Sequence, residues 1–338
     1  MDLAQDPSLL ACLPIPPCST VSVRQHGGSS FSSTWRLTAS SSSSSSSSPS
    51  EPTTTATRKD FFIKTGQGDA ARVMFAGEHA SLNAIADAVP GFCPRSYGHG
   101  ELATAAGRFF LATDFLELGA TGKGSGESLA KKLARLHTAP APLPEGGRPM
   151  YGFPVPTCCG DTLQDNGWRE SWAEFYGENR LRHVLRAGEG RNGRDLELRE
   201  AVGRTVSEVV PRLLRDGHLK GVRPVVVHGD LWSGNHGRGR IADGGVEEVV
   251  FDPAAVYGHS EYELGIMRMF GGFGKEFWRE YGELVPKCEP VGEWEDRVRL
   301  YELYHHLNHY AIFGGGYKGG AMSIMKSLLS KYASKGQD

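Results

Sequence analysis

The segment His228-Gly229-Asp230-Leu231-Trp232-Ser233-Gly234-Asn235 places an aspartate five residues before an asparagine. Phe251-Asp252-Pro253 supplies a second carboxylate seventeen residues after that asparagine. This order suits phosphoryl transfer to an alcohol, which needs a carboxylate to receive the hydroxyl proton and oxygen ligands for the magnesium on the phosphates. Asp230 fits the base. The amide oxygen of Asn235 and the carboxylate of Asp252 are hard ligands suited to Mg²⁺. Asp-Pro alone is a common turn; its spacing from Asp230 and Asn235 is what gives Asp252 a chemical reading. His228 has no proton-transfer partner nearby in sequence and reads as a brace for the loop.

A nucleotide also needs positive charge. Lys64 ends the apolar stretch Phe61-Phe62-Ile63, and Glu78 follows fourteen residues later. A strand lysine paired with a helix glutamate holds the α- and β-phosphates in kinase-type sites. His26-Gly27-Gly28-Ser29-Ser30 occupies a turn where a phosphate-covering loop belongs. Gly27, Gly28 and Ser29 are therefore candidate nucleotide contacts through backbone N–H groups, although the turn matches neither GxGxxG nor GxxxxGK[ST].

The elements that must hold these residues follow from periodicity. Residues 1–20 read as an irregular or loosely docked segment. Strands are expected at 21–25, 34–37 and 59–64, then a helix over 70–89 and strands at 95–100 and 108–113. The serine run from Ser40 to Ser48 cannot bury apolar surface and reads as a disordered insertion, about 39–58, in a hairpin. Beyond Gly126 the pattern turns helical. Ser128 caps a helix carrying Leu129, Leu133 and Leu136. Trp168, Trp172, Phe175 and Tyr176 mark a second helix as core residues, and 196–214 a third. Val225-Val226-Val227 and Val249-Val250-Phe251 are short buried strands, each delivering one catalytic loop. Helices follow at 263–270, 276–284, 294–313 and 321–332. The organisation is an N-lobe over 21–118 and a C-lobe over 119–338, an α+β chain with a small β-rich lobe and a larger helical one.

Composition bounds the rest. The 338 residues suffice for two lobes. Net charge of −2 gives no basic footprint for nucleic acid, and no apolar run reaches membrane-spanning length. Six cysteines without a CxxC argue against zinc and for reduced thiols in a cytoplasmic protein.

With these positions assembled, the chain resembles the fructosamine kinases, or ketosamine-3-kinases, of the aminoglycoside/choline kinase and protein-kinase-like superfamily. The resemblance runs from about Val21 to Leu328. HGDxxxxN marks the superfamily; LWSGN, Thr157-Cys158-Cys159-Gly160, Tyr257-Gly258-His259-Ser260-Glu261 and Met269-Phe270-Gly271-Gly272-Phe273 mark the family. The resemblance implies a protein-kinase-like two-lobed fold. It also implies ATP- and Mg²⁺-dependent phosphorylation of the 3-hydroxyl of a ketosamine, leading to deglycation, with small ketosamines or glycated proteins as partners. Asp114, Phe115 and Leu116 would form the hinge under adenine, Trp232 would pack on the sugar, and His309 would reach a sugar hydroxyl. His259 and Glu261 would stabilise the metal loop. Relatives often carry a cysteine in the glycine-rich loop where this chain has Ser29 and Ser30, so redox-controlled dimerisation does not carry over, and oligomeric state stays open. The alternatives are a kinase for an aminoglycoside or choline-like amine, and a catalytically silent nucleotide-binding protein.

Overall fold

The computed structural model describes residues 2–28, 32–43, 55–144 and 146–333. Five antiparallel strands form the small lobe in the order β1-β2-β3-β5-β4: β1 (Thr20–Gly28), β2 (Ser33–Ser43), β3 (Thr55–Gln67), β4 (Ser96–Glu101) and β5 (Arg108–Asp114). The inward face of β3 carries Phe61 and Ile63, both fully buried, as its alternation requires. The β2–β3 ladder runs from Ser33↔Thr65 to Ser43↔Thr55. The two ends of the expected insertion are therefore paired strand, because backbone pairing does not require apolar side chains. Residues 44–54, with most of the serine run, lie outside the described residues.

The N-terminal segment is docked, and departs from expectation in being partly helical and capped. Pro7–Cys12 is a short helix, α1, whose cap Asp6 accepts a hydrogen bond from the Leu9 N–H at 3.0 Å. Asp6 also accepts from the N–H and hydroxyl of Thr104, at 2.8 and 2.7 Å. Leu3, Leu9 and Leu13 are buried against the sheet. The segment is docked, with aspartate at the cap and proline at the first helical position, a standard start.

α2 (Gly68–Ala88) packs across β4 and β5 and also reaches the large lobe. After Asp114 the chain crosses lobes: β6 (Leu116–Leu118) pairs with β10 (His236–Ile241), which pairs with β11 (Val246–Val250). Between them come α3 (Leu129–Thr138), capped by the Ser128 hydroxyl, and the hairpin β7 (Thr157–Cys159) and β8 (Thr162–Gln164). A helical stretch follows from α4 (Trp172–Glu174) through π-wound turns to α5 (His183–Asn192), then α6 (Leu196–Arg204) and α7 (Val210–Leu214). Trp168 precedes this stretch and packs from a loop; only Trp172 belongs to the helix.

β9 (Val225–Val227) pairs with β12 (Val256–Gly258), so the strands before and after the two catalytic loops lie side by side. α8 (Glu263–Phe270), α9 (Lys275–Leu284), α10 (Trp294–Phe313) and α11 (Gly316–Tyr332) complete the lobe. α10 is its axis, with Leu300, Tyr301, Leu303, Tyr304 and Leu307 all buried; each such side chain contributes about 2 kcal/mol of burial. Trp172 donates to the Tyr301 hydroxyl at 2.8 Å, fixing the aromatic centre of that core. The architecture is α+β and two-lobed, with the cleft between the lobes.

Candidate active site

The base loop leaves β9 and turns at Gly229, whose φ of +81° and 2.2 Å approach to the Ala254 carbonyl, measured from an added Cβ, leave room only for glycine. The backbone N–H groups of His228 and Gly229 both donate to the Glu263 carboxylate, at 2.6 and 3.0 Å. Glu263 is buried at the start of α8, beside His137 at 3.5 Å. Burial alone would raise its pKa, but the neighbouring imidazoles of His137 and His228, with the His228 backbone donor, hold it below the usual carboxylate value.

His228 is buried and neutral, its pKa pushed down by burial. Nε2–H donates to the Phe251 carbonyl at 3.0 Å while Nδ1 accepts from the Asp230 N–H at 3.3 Å. The imidazole therefore ties the base loop to the strand end that presents Asp252, which makes it a brace as its sequence position suggests.

Asp230 is half-buried. Burial first, then the negative charges of Asp252 and Glu263, push its pKa up to about 8. Asn235 donates through Nδ2 to the Asp230 backbone carbonyl at 2.8 Å and to Oδ2 at 3.3 Å. That leaves the Asn235 Oδ1 facing no donor among the described residues. Asp252 has φ of +54°, a left-handed conformation that aspartate tolerates better than most residues. Lys64 Nζ bridges the lobes, donating to Glu78 Oε1 at 2.8 Å and Asp252 Oδ1 at 2.6 Å. Burial opposes the lysine charge, yet the two carboxylates outweigh it and hold the ammonium above its ordinary pKa.

Of these groups, Lys64, Glu78 and Asp252 line a cleft of about 310 Å³, while Asp230 and Asn235 lie beyond its lining. The apolar part of the lining is formed by Phe62, Leu82, Pro94, Leu116, Leu118 and Phe251. A flat aromatic base suits that apolar lining and a charged tail suits Lys64. Asn235 Oδ1 and the second oxygen of Asp252 are hard oxygen donors of the kind magnesium takes.

The remaining expected residues divide. Gly28 lines the cleft; Gly27 adjoins it; Ser29 lies outside the described residues. Asp114 lines the cleft, but its carboxylate is already engaged by the Tyr97 hydroxyl at 2.5 Å and the Arg95 N–H at 3.0 Å. Phe115 turns away: its ring lies under the Arg36 guanidinium at 4.3 Å, and its carbonyl accepts from the Ala242 N–H. As hinge side chains, only Asp114 and Leu116 face the cleft. The Ala242 N–H and the Arg36 guanidinium hold Phe115 buried outside the cleft lining, a long-range effect local sequence does not carry.

Trp232 is 39 % exposed and leans on Phe270, 5.8 Å between ring centroids. Phe270 in turn meets His309 at 5.1 Å. His309 Nδ1–H donates to the His305 carbonyl, which leaves Nε2 as an acceptor. Trp232 and His309 thus converge, through a phenylalanine that sequence reading left without a role. His259 and Glu261, expected at the metal loop, lie elsewhere. Glu261 pairs with buried Arg297 at 2.8 Å and accepts from the Cys288 N–H, and His259 bonds Tyr301 and Cys288. They anchor the segment before α10; the loop-bracing carboxylate is Glu263, two residues on.

The fructosamine kinase family model matches residues 24–331. Ketosamine-3-kinase of Mus musculus is 34% identical over 282 residues, covering 79% of this chain and 87% of that protein. Chloroplastic protein-ribulosamine 3-kinase of Oryza sativa subsp. japonica is 39% identical over 269 residues, covering 80% and 72%. Among solved structures, a Thermobifida fusca protein provisionally named a fructosamine-3-kinase superposes with a TM-score of 0.68 at 24% identity, covering 92% of this chain and 95% of that one. The aminoglycoside phosphotransferase APH(4)-Ia, in a ternary complex with AMP-PNP and hygromycin B, superposes with a TM-score of 0.53 at 12% identity, covering 91% and 93%. Both structural likenesses speak to the fold.

Proposed function

Because the chain belongs to the fructosamine kinase family, we propose that it transfers the γ-phosphoryl group of ATP to the 3-hydroxyl of a ketosamine, a sugar joined to a small amine or a protein lysine. The observation that carries this reading is the Lys64 bridge to Glu78 and Asp252 beside the Asp230–Asn235 pair. It supports the reading by setting a buried cation and a carboxylate on the cleft wall next to the proposed base and amide ligand.

In this reading Lys64, oriented by Glu78, neutralises charge on the nucleotide phosphates. Asn235 and Asp252 would hold Mg²⁺, which would screen the charge that develops on the transferring group. Asp230 takes the proton of the 3-hydroxyl as the new O–P bond forms and the bond to ADP breaks. Its raised affinity for protons suits it to that step. Trp232 offers an apolar face for the sugar, and His309 Nε2 accepts from a hydroxyl. Phosphate at that carbon is a good leaving group: its elimination as inorganic phosphate and hydrolysis of the C–N bond by water release the amine, and the net effect is deglycation. The free state of all six cysteines suits a reducing compartment such as the cytoplasm.

The test is ADP release with fructosyl-lysine, ribulosyl-lysine, an aminoglycoside and choline offered in parallel. Ketosamine-dependent turnover alone supports the proposal. Turnover with only the aminoglycoside or choline would replace it with the other kinase reading.

A further inference from the structure

Resting on the assignment of Asp230 as base, we infer that the Cys159 thiol is a positioning group, an S–H donor that holds one oxygen of the Asp230 carboxylate while Asn235 holds the other. Cys159 Sγ lies 3.6 Å from Asp230 Oδ1, and Asn235 Nδ2 lies 3.3 Å from Oδ2. The two donors approach opposite oxygens, which stops the carboxylate from rotating about its last bond and fixes the lone pairs offered to the substrate hydroxyl. A base held in register before substrate arrives loses no orientational freedom during the reaction.

Three features place the sulfur there. Cys159 is the last residue of β7 and is fully buried. Its carbonyl accepts from Asn308 Nδ2 at 3.1 Å, which pins it to α10. The strand before it is locked by Thr157, which donates to Gln164 at 2.9 Å. Burial, then the adjacent Asp230 charge, push the thiol well above its ordinary pKa, so the sulfur keeps its proton and acts as a donor. The neighbouring Cys158 takes the opposite face of the strand and makes no such contact.

Removing the donor in Cys159→Ala frees the carboxylate to rotate and should lower kcat by about 10-fold, with the KM for ATP unchanged. Cys159→Ser, which restores a donor, should recover most of that loss, and Cys158→Ser should leave kcat at its parental value. An unchanged kcat in C159A would overturn the inference, as would equal losses in C159A and C159S. Should neither variant fold, the infrared S–H stretch of the intact protein decides. The band should move to higher frequency in Asp230→Asn; an unmoved band refutes the contact. That readout needs no substrate, so it separates failure of this inference from failure of the ketosamine assignment.

Discussion

At the residue scale, the site stores its tension in Asp230. A carboxylate that titrates near about 8 when folded and near 3.8 when unfolded binds protons more tightly in the folded state. Between those values stability falls as pH rises, because the folded chain must give up a proton that the unfolded chain has already lost. Asp230→Asn removes that cost. It should raise the melting temperature at neutral pH, with the gain vanishing towards pH 4, while lowering kcat by about 100-fold or more and leaving nucleotide binding intact. Calorimetry across pH and nucleotide titration read both. In the parent, activity of the free enzyme should fall as pH drops below about 8, because the base is then protonated.

The same residue was plain in sequence, since Asp230, Asn235 and Asp252 each follow a short buried strand and their spacing is local. Its partners were hidden for a physical reason. Cys159 is 71 residues away and Glu263 lies 33 further on; tertiary packing brings them together, and nothing in their immediate neighbours announces it. Glu263 had one available signal, its place in an apolar helix start where a buried carboxylate needs donors.

At the element scale, α2 is held to the β7–β8 hairpin and to the segment just after Asp252. A Cβ on Gly77, next to Glu78, would lie 2.6 Å from the Pro156 carbonyl. One turn later the Ser81 hydroxyl accepts from the Ala255 N–H at 3.0 Å, just beyond Asp252. Gly77→Ala must push α2 off the β7–β8 hairpin and draw Glu78 from Lys64. The expected result is a raised KM for ATP with a smaller change in the KM for the acceptor; unchanged nucleotide affinity would show that the contact yields without moving Glu78. Glu263→Gln should cost about 1–3 kcal/mol in urea unfolding at pH 7, since two buried N–H groups lose a charged acceptor. Because Glu263 titrates below its ordinary value of 4.5 in the folded state, that penalty is present above about pH 4.5 and shrinks as pH falls further.

Elements were legible where side-chain periodicity was strong and illegible where it was weak. α10 matches its pattern end to end, whereas α11 begins five residues before the expected start, across Gly316, Gly319 and Gly320. Glycine disfavours helix by about 1 kcal/mol per residue, and packing against α10 overrides it. β10, the sequence His236-Gly237-Arg238-Gly239-Arg240-Ile241, shows no apolar alternation and becomes a strand through pairing on both sides.

At the scale of the whole molecule, the cleft is built from two sheets that share one crossing segment. The β2–β3 hairpin sets Thr34↔Lys64 at the cleft end and Ser43↔Thr55 at the far end. Nine residues of strand separate them, roughly 30 Å. Replacing residues 44–54 with a short Asn-Gly turn should therefore leave kcat and both KM values unchanged; a loss of turnover would assign the serine segment a part in the reaction. No helix among the described residues is long and apolar enough to cross a membrane.

The central claim is a reaction at one hydroxyl, and the product's phosphorus position tests it most directly. After incubation with Mg-ATP and fructosyl-lysine, phosphorus–proton correlation by NMR should place the new phosphate on the sugar's third carbon, followed by loss of the adduct and release of lysine. Phosphate at any other hydroxyl, or an unaltered ketosamine under conditions where another alcohol is phosphorylated, would contradict the account.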